Sequence, residues 1–215
     1  MLKCFCQFAH FRLVSWFVSH CDTPSQREKF VERMKKVVSV DIYGKCSNNT
    51  NASRKMLPRD TQEEKDELSL YKFYIAFENS LCPEYVTEKL YKIINTNIHD
   101  NPPVPIVMGP NKSFYESRFP VNSFIHVDDF NHPETLGYYL NQINSKPSLY
   151  LKYLDWRRTH TSVCEHPVRC KLCQMLLNKK YTPYHKMLHI DQNDLIISNF
   201  EAFWQRSKCQ NKNIH

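Results

Sequence analysis

Glycine is nearly absent: the 215-residue chain has three, Gly44, Gly109 and Gly137. That excludes glycine-rich phosphate cradles such as G-x-G-x-x-G or a Walker loop, in which backbone N–H groups approach the phosphate with no Cβ in the way. Any phosphate binding must come from side chains and helix ends. Long apolar runs are missing too. Met1 to Val18 is fairly apolar, but Lys3, His10 and Arg12 interrupt it before the roughly twenty apolar residues of a membrane span are reached. It also lacks the small-residue cleavage site that follows the apolar centre of a signal peptide. Nor is there a basic block. The formal net charge is +7, yet Lys and Arg are spread along the chain, which argues against a nucleic-acid arm and suits a compact anionic partner.

What is present is best read outward from Tyr71 to Lys89. Tyr71 to Phe77 is almost continuously apolar or aromatic, as in a parallel strand covered on both faces. From Val86 the period changes: Val86, Leu90, Ile93 and Ile94 follow the stripe of an amphipathic helix. Between them lies a polar turn, Glu78-Asn79-Ser80, with Pro83 as a breaker. The carboxyl end of a parallel strand running into a helix is where open α/β sheets bind ligands. Asn79, Tyr85, Glu88 and Lys89 crowd that point. Consecutive residues do not share a helix face, so Glu88 and Lys89 are not simply an intrahelical pair. The carboxylate suits sugar hydroxyls and the ammonium a phosphate; a helix-dipole role for Glu88 with a solvated Lys89 is the plainer alternative.

The same grammar recurs along the chain. Phe11 to Val18 reads as a strand, followed by a helix start at Thr23-Pro-Ser-Gln26 with Thr23 as N-cap, Pro24 at the first helical position and Arg27 in the first turn. Phe30, Val31, Met34, Val37 and Val38 supply its buried stripe. Val40 to Tyr43 is a second strand, and Ser47 to Leu68 is polar and reads as a solvated loop. Val104 to Met108 is another strand, Ser113 to Phe119 a short helix, Ser123 to Val127 a strand, Pro133 to Ile143 a helix, and Leu149 to Arg158 an aromatic helix on the sheet. Strand and helix alternating in this way predicts an α/β fold, a Rossmann-like parallel sheet with helices on both faces. The division is an irregular segment over 1–10, the α/β domain over 11–160 and a cysteine-containing tail over 161–215.

Nine cysteines suit an oxidising lumen better than the cytosol, and an odd number leaves at least one thiol without an internal partner. Sequons at Asn48, Asn51 and Asn111 point to the same route as candidate glycosylation sites. Cys164, His166, Cys170 and Cys173 could bind Zn²⁺, which would make the tail a zinc-stabilised basic module for nucleic acid. The Cys-x-His spacing and a lone Cys-x-x-Cys match that pattern poorly. Asp128-Asp129 invites a Mn²⁺ reading, but adjacent carboxylates before Phe130 suit a turn or cap rather than the alternate Asp-x-Asp spacing.

Phe77-Glu-Asn-Ser80, Tyr85-Val-Thr-Glu-Lys89, Val104-Pro-Ile-Val-Met-Gly-Pro110 and Ser123-Phe-Ile-His-Val-Asp-Asp-Phe130 come in the order and spacing of the α-1,3-fucosyltransferases of glycosyltransferase family 10. Trp16-Phe-Val-Ser-His20, Asp41-Ile-Tyr-Gly-Lys-Cys46 and Cys170-x-x-Cys173 also resemble that family. The resemblance implies the C-terminal, donor-binding half of a GT-B enzyme, here the transfer of fucose from GDP-fucose to a GlcNAc-containing acceptor glycan on a glycoprotein or glycolipid, with no essential metal. It implies a donor site of Ser19, His20, Arg27, Tyr74, Asn79, Tyr85, Glu88 and Lys89, in which Arg27 and Lys89 meet the diphosphate. His20 departs from the family's usual asparagine. The matching begins almost at once, so the acceptor-side domain and its catalytic carboxylate are expected to be missing from this sequence. No residue matches that base. Structural disulfides among Cys21, Cys46, Cys82, Cys164, Cys170 and Cys173 are implied, as is a lumenal Golgi location, with membrane association only through a segment absent from this chain. A non-catalytic nucleotide-sugar-binding paralogue is the alternative.

Overall fold

A computed structural model describes residues 12–47, 57–58, 61–94, 102–160 and Cys209. All belong to one compact unit; a second unit, 162–208, lies outside the described residues, as do Asn48, Asn51, Cys164, Cys170 and Cys173. In chain order the elements are β1 (Arg12–Phe17), α1 (Arg27–Met34), β2 (Val40–Tyr43), α2 (Gln62–Leu68), β3 (Tyr71–Phe77), α3 (Glu88–Ile94), β4 (Val104–Met108), α4 (Lys112–Glu116), β5 (Ile125–His126), α5 (Pro133–Ser145) and α6 (Pro147–Lys152). Two 3₁₀ turns, Val127–Asp129 and Asp155–Arg158, follow β5 and α6.

The five strands form a parallel sheet in the order β2-β1-β3-β4-β5. Parallel neighbours need crossovers, and the intervening helices supply them. Side chains alternate between faces along each strand, so the sheet has two cores. On one face Val14, Trp16, Phe73, Ile75, Phe77, Ile106 and Met108 pack with Phe30, Val31 and Met34 of α1 and Leu136, Leu140 and Ile143 of α5. On the other Tyr74, Ala76 and Val107 pack with Leu68 of α2, Leu90 and Ile93 of α3, and Tyr115 of α4. Central β3 is covered on both sides, which is why its sequence lacks polar alternation.

Several boundaries differ from the sequence expectation. The stretch read as a loop to Leu68 contains α2, which starts from Thr61: its Oγ1 accepts from the Glu64 backbone N–H at 3.3 Å. The helix expected at Thr23-Pro24 begins at Arg27, with Gln26 as an uncapped left-handed N-cap (φ 53°). Thr23 instead donates from Oγ1 to Glu28 at 2.9 Å, and Ser25 donates to the Glu78 carbonyl at 2.8 Å, so tertiary bonds hold this turn out of the helix. The aromatic helix over 149–158 divides into α6 and the 3₁₀ turn, and the strand over 123–127 contracts to β5. Asp128 and Asp129 lie in a 3₁₀ turn, where Asp129 accepts from Lys112 Nζ at 2.6 Å.

Among the described residues, two disulfides tie loops to the sheet's carboxyl edge. Cys21–Cys46 joins the loop after β1 to the loop after β2, and Cys82–Cys209 joins the loop after β3 to the C-terminal segment. Cys21, Cys46 and Cys82 were candidates from the sequence; Cys209 was not.

Candidate functional site

The helix after β1 packs on one face of the sheet and the helix after β3 on the other. The loops leaving these adjacent strands therefore diverge, and a crevice opens at their carboxyl ends, the topological switch point of an open α/β sheet. A cleft of about 430 Å³ occupies it, lined by Phe17, Val18, Ser19, His20, Arg27, Glu64, Tyr74, Asn79, Glu88, Lys89 and Lys92. A neighbouring cavity of about 550 Å³ shares Phe17, Val18, Ser19 and Glu64 with it and continues past Tyr43, Gly44 and Lys45. Gly44 has φ +95°, and a Cβ there would lie 2.4 Å from the Val18 carbonyl, so this turn after β2 admits only glycine without strain.

Seven of the eight residues expected at a donor site line the one cleft. Tyr85 is the exception: it is not among the lining residues, although it lies near enough to Arg27 to act on it electrostatically. Ser19 and His20 follow β1 and are exposed. His20 contributes its carbonyl, which accepts from Arg27 at 3.1 Å. Arg27 is 3% exposed and also donates to the Phe77 carbonyl at 2.7 Å, so one guanidinium bridges the ends of β1 and β3. Its Nε is buried without a partner. Burial lowers its pKa, against Glu78 and Glu28, which raise it; an arginine nevertheless stays charged. Tyr74 comes up from β3 and is buried, and burial pushes its hydroxyl well above the usual tyrosine range. Asn79 Oδ1 is buried at the cleft with no partner of its own.

The two charged residues at the start of α3 are held very differently. The Lys89 side chain is 18% exposed and donates to Glu78 at 3.0 Å and Thr87 Oγ1 at 2.6 Å; its distance to Glu88 is 3.5 Å. Glu78 is the buried anchor of this cluster: it also accepts from the Thr87 backbone N–H at 2.8 Å and from Thr87 Oγ1 at 2.7 Å. The Glu88 side chain is 74% exposed and open to a ligand. Partial desolvation pulls its pKa up, but the Lys89 ammonium and hydrogen bonds from its own N–H and Thr87 outweigh this and hold it below the usual value.

Sequence reasoning missed Glu78, Glu64 and Lys92. Glu78 sat inside a motif read as a polar turn, though a carboxylate one residue past an almost continuously apolar strand has little access to water. Glu64 lay in the presumed loop, where Thr61-Gln-Glu-Glu64 carries the S/T-x-x-E signature of a helix start. Lys92, three residues after Lys89, shares its helix face.

The sequence that builds this crevice matches a known family model. Residues 9–192 match glycosyltransferase family 10 (fucosyltransferase), C-terminal part. The chain belongs to glycosyltransferase family 10. Among relatives of this fucosyltransferase family member, alpha-(1,3)-fucosyltransferase fut-1 of Caenorhabditis elegans is 35% identical over 206 residues, covering 91% of this chain and 42% of the relative. Human 4-galactosyl-N-acetylglucosaminide 3-alpha-L-fucosyltransferase FUT5 is 42% identical over 147 residues, 68% of this chain and 36% of the relative. A crystal structure of an alpha1,3-fucosyltransferase with GDP-fucose shares the fold at TM-score 0.52 and 23% identity, over 66% of this chain and 38% of that one. The family member described here thus spans less than half the length of the proteins it matches.

Proposed function

We propose that this chain supplies the donor half of an α-1,3-fucosyltransferase, which moves fucose from GDP-fucose to a GlcNAc-containing glycan. The observation that carries the reading is the convergence of three separate segments, 19–27, 74–79 and 88–89, on one switch-point cleft containing Arg27 and Lys89. Family membership and the fucosyltransferase names of its relatives support it.

In an inverting transfer, a base deprotonates the acceptor hydroxyl as it attacks the anomeric carbon, while cations stabilise the departing nucleoside diphosphate. Arg27 and Lys89 serve the leaving diphosphate. Charge develops there as the glycosidic bond breaks, and both cations are already held by hydrogen bonds, so little reorganisation is needed. Glu88 and the unpartnered Asn79 Oδ1 accept from sugar hydroxyls, and the cavity continuing past Tyr43 has room for the nucleoside. The catalytic carboxylate belongs to the part of the relatives that this chain does not span. No essential metal is required, because the cations beside the diphosphate are side chains. The two disulfides suit a secretory, lumenal location in the Golgi. Asn111 is exposed at the start of α4 and is open to glycosylation; its Oδ1 accepts from Phe114 N–H at 3.0 Å.

Calorimetric titration of the oxidised 215-residue chain with GDP tests the donor reading. Saturable binding is expected, weakened at least tenfold by Lys89→Met, since a charge-assisted contact contributes about 1.5–3 kcal/mol. No heat change at millimolar GDP would sink it.

A further inference from the structure

We propose that Lys92 and Glu64 complete the donor site, Lys92 as a further ligand of the diphosphate and Glu64 as the positioning residue that aims it. The inference rests on reading the cleft as a GDP site. Lys89 and Lys92 are three residues apart on α3 and so lie on one helix face, about one turn from each other. Long side chains on a helix lean back over the preceding turn, which carries the Lys92 ammonium toward the end of α3 that borders the cleft. The structure agrees: Lys92 lines the cleft, and its Nζ sits 5.8 Å from the ring centroid of Phe17, the last residue of β1.

Each of the two lysines is pinned by a carboxylate withdrawn from solvent. Lys89 has Glu78, 1% exposed, and Lys92 has Glu64, 3% exposed, in direct ion-pair contact. Glu64 is fixed in turn by its place in the first turn of α2, where Thr61 caps its N–H. A lysine at a surface would spread its ammonium over many rotamers; one held at its tip by a fixed carboxylate presents the remaining N–H groups in a single place.

The charges at the site favour the same assignment. Arg27 and Lys89 alone would face Glu64 and Glu88 in the cleft with Glu78 behind them, an excess of negative charge that would repel a diphosphate. Lys92 restores the balance. It does so one helical turn from Lys89, a spacing that two adjacent phosphates can bridge. Glu64 also lines the cavity running past Tyr43, so the pair stands where a diphosphate would join its nucleoside.

The test titrates GDP and guanosine into the oxidised full chain and into its Lys92→Met, Glu64→Gln and doubly substituted variants, with melting temperatures recorded for each. Lys92→Met should weaken GDP about ten- to a hundredfold, the loss of one charge-assisted contact, and leave guanosine within about twofold. Glu64→Gln should weaken GDP about threefold or more in the wild-type background and add nothing to Lys92→Met, as expected when one residue acts through the other. If Lys92→Met does not fold, Lys92→Gln, which can still hydrogen-bond Glu64, carries the same expectation. Equal losses for GDP and guanosine, or none, would make the pair a purely structural clamp between α2 and α3 and overturn the proposal. Tighter GDP binding by Glu64→Gln would overturn it too, because Glu64 would then be sequestering the lysine. A wild-type chain that binds no GDP refutes the donor reading itself, a result separate from all of these.

Discussion

Glu78 and Glu88 stand ten residues apart around the same ammonium, and their burial assigns them opposite jobs. Replacing Glu78 by Gln keeps the volume and one acceptor for the Thr87 N–H but removes the charge opposite Lys89. The Glu78 side chain is 1% exposed and accepts hydrogen bonds from the Thr87 N–H, Thr87 Oγ1 and Lys89. Breaking a fully buried ion pair costs about 3–5 kcal/mol. Lys89 is 18% exposed and can recover some hydration, and the amide keeps one bond, so we expect about 2–3 kcal/mol. At about 2–4 °C per kcal/mol for a domain of this size, the melting temperature should fall by roughly 4–12 °C. Glu88→Gln is the control. Its side chain is 74% exposed, and exposed pairs contribute roughly 0–1 kcal/mol, so stability should barely change, while GDP-fucose binding weakens through a lost sugar contact. Differential scanning calorimetry of the two variants beside wild type decides the matter. A Glu78→Gln chain melting within about 2 °C of wild type, or a Glu88→Gln chain destabilised as much as Glu78→Gln, would refute the division of labour.

Other outcomes follow from the same geometry. Cys21–Cys46 closes a loop across 25 residues and should contribute about 3.5 kcal/mol on chain-entropy grounds, so the Cys21→Ser/Cys46→Ser variant should melt roughly 7–14 °C lower in scanning calorimetry. Because the bridge holds the loop that carries Ser19 and His20, GDP affinity should also fall, as read by titration. The Glu134 carboxylate joins α5 to α1 through Arg33, with bonds of 2.8 and 2.9 Å, and the pair holds its pKa below the usual value of 4.5. A depressed carboxylate pKa means stability that is present above the unfolded value and lost as pH falls through the folded one. The melting-temperature gap between wild type and Glu134→Gln should therefore be widest near neutrality and shrink below about pH 4.5.

How much of this was legible from sequence depended on whether a local pattern or a tertiary contact set the outcome. β3 and β4 fall where their apolar runs predict, because a strand buried on both faces has to be almost continuously apolar. The switch-point cleft was legible for a related reason: a period change from strand to helix marks the edge at which a ligand sits, and it recurs after β1 and after β3. Thr23-Pro24 failed as a helix start because Glu28 and the Glu78 carbonyl, the latter more than fifty residues away, claim the hydroxyls that a local cap would have used. The Cys82–Cys209 bridge spans 127 residues and leaves no local trace. The carboxylates that hold the cleft's lysines were hidden by the same logic. A buried glutamate is costly unless it is paired, so although the helix-start signature marks Glu64 and the apolar strand before Glu78 marks its burial, neither local sign names the lysine it holds. Glu78 and Glu64 become intelligible only once α3 is docked on the sheet and presents Lys89 and Lys92 to them. In this chain, therefore, sequence motifs located most of the residues that line the cleft, whereas the buried carboxylates that hold its lysines emerged from packing.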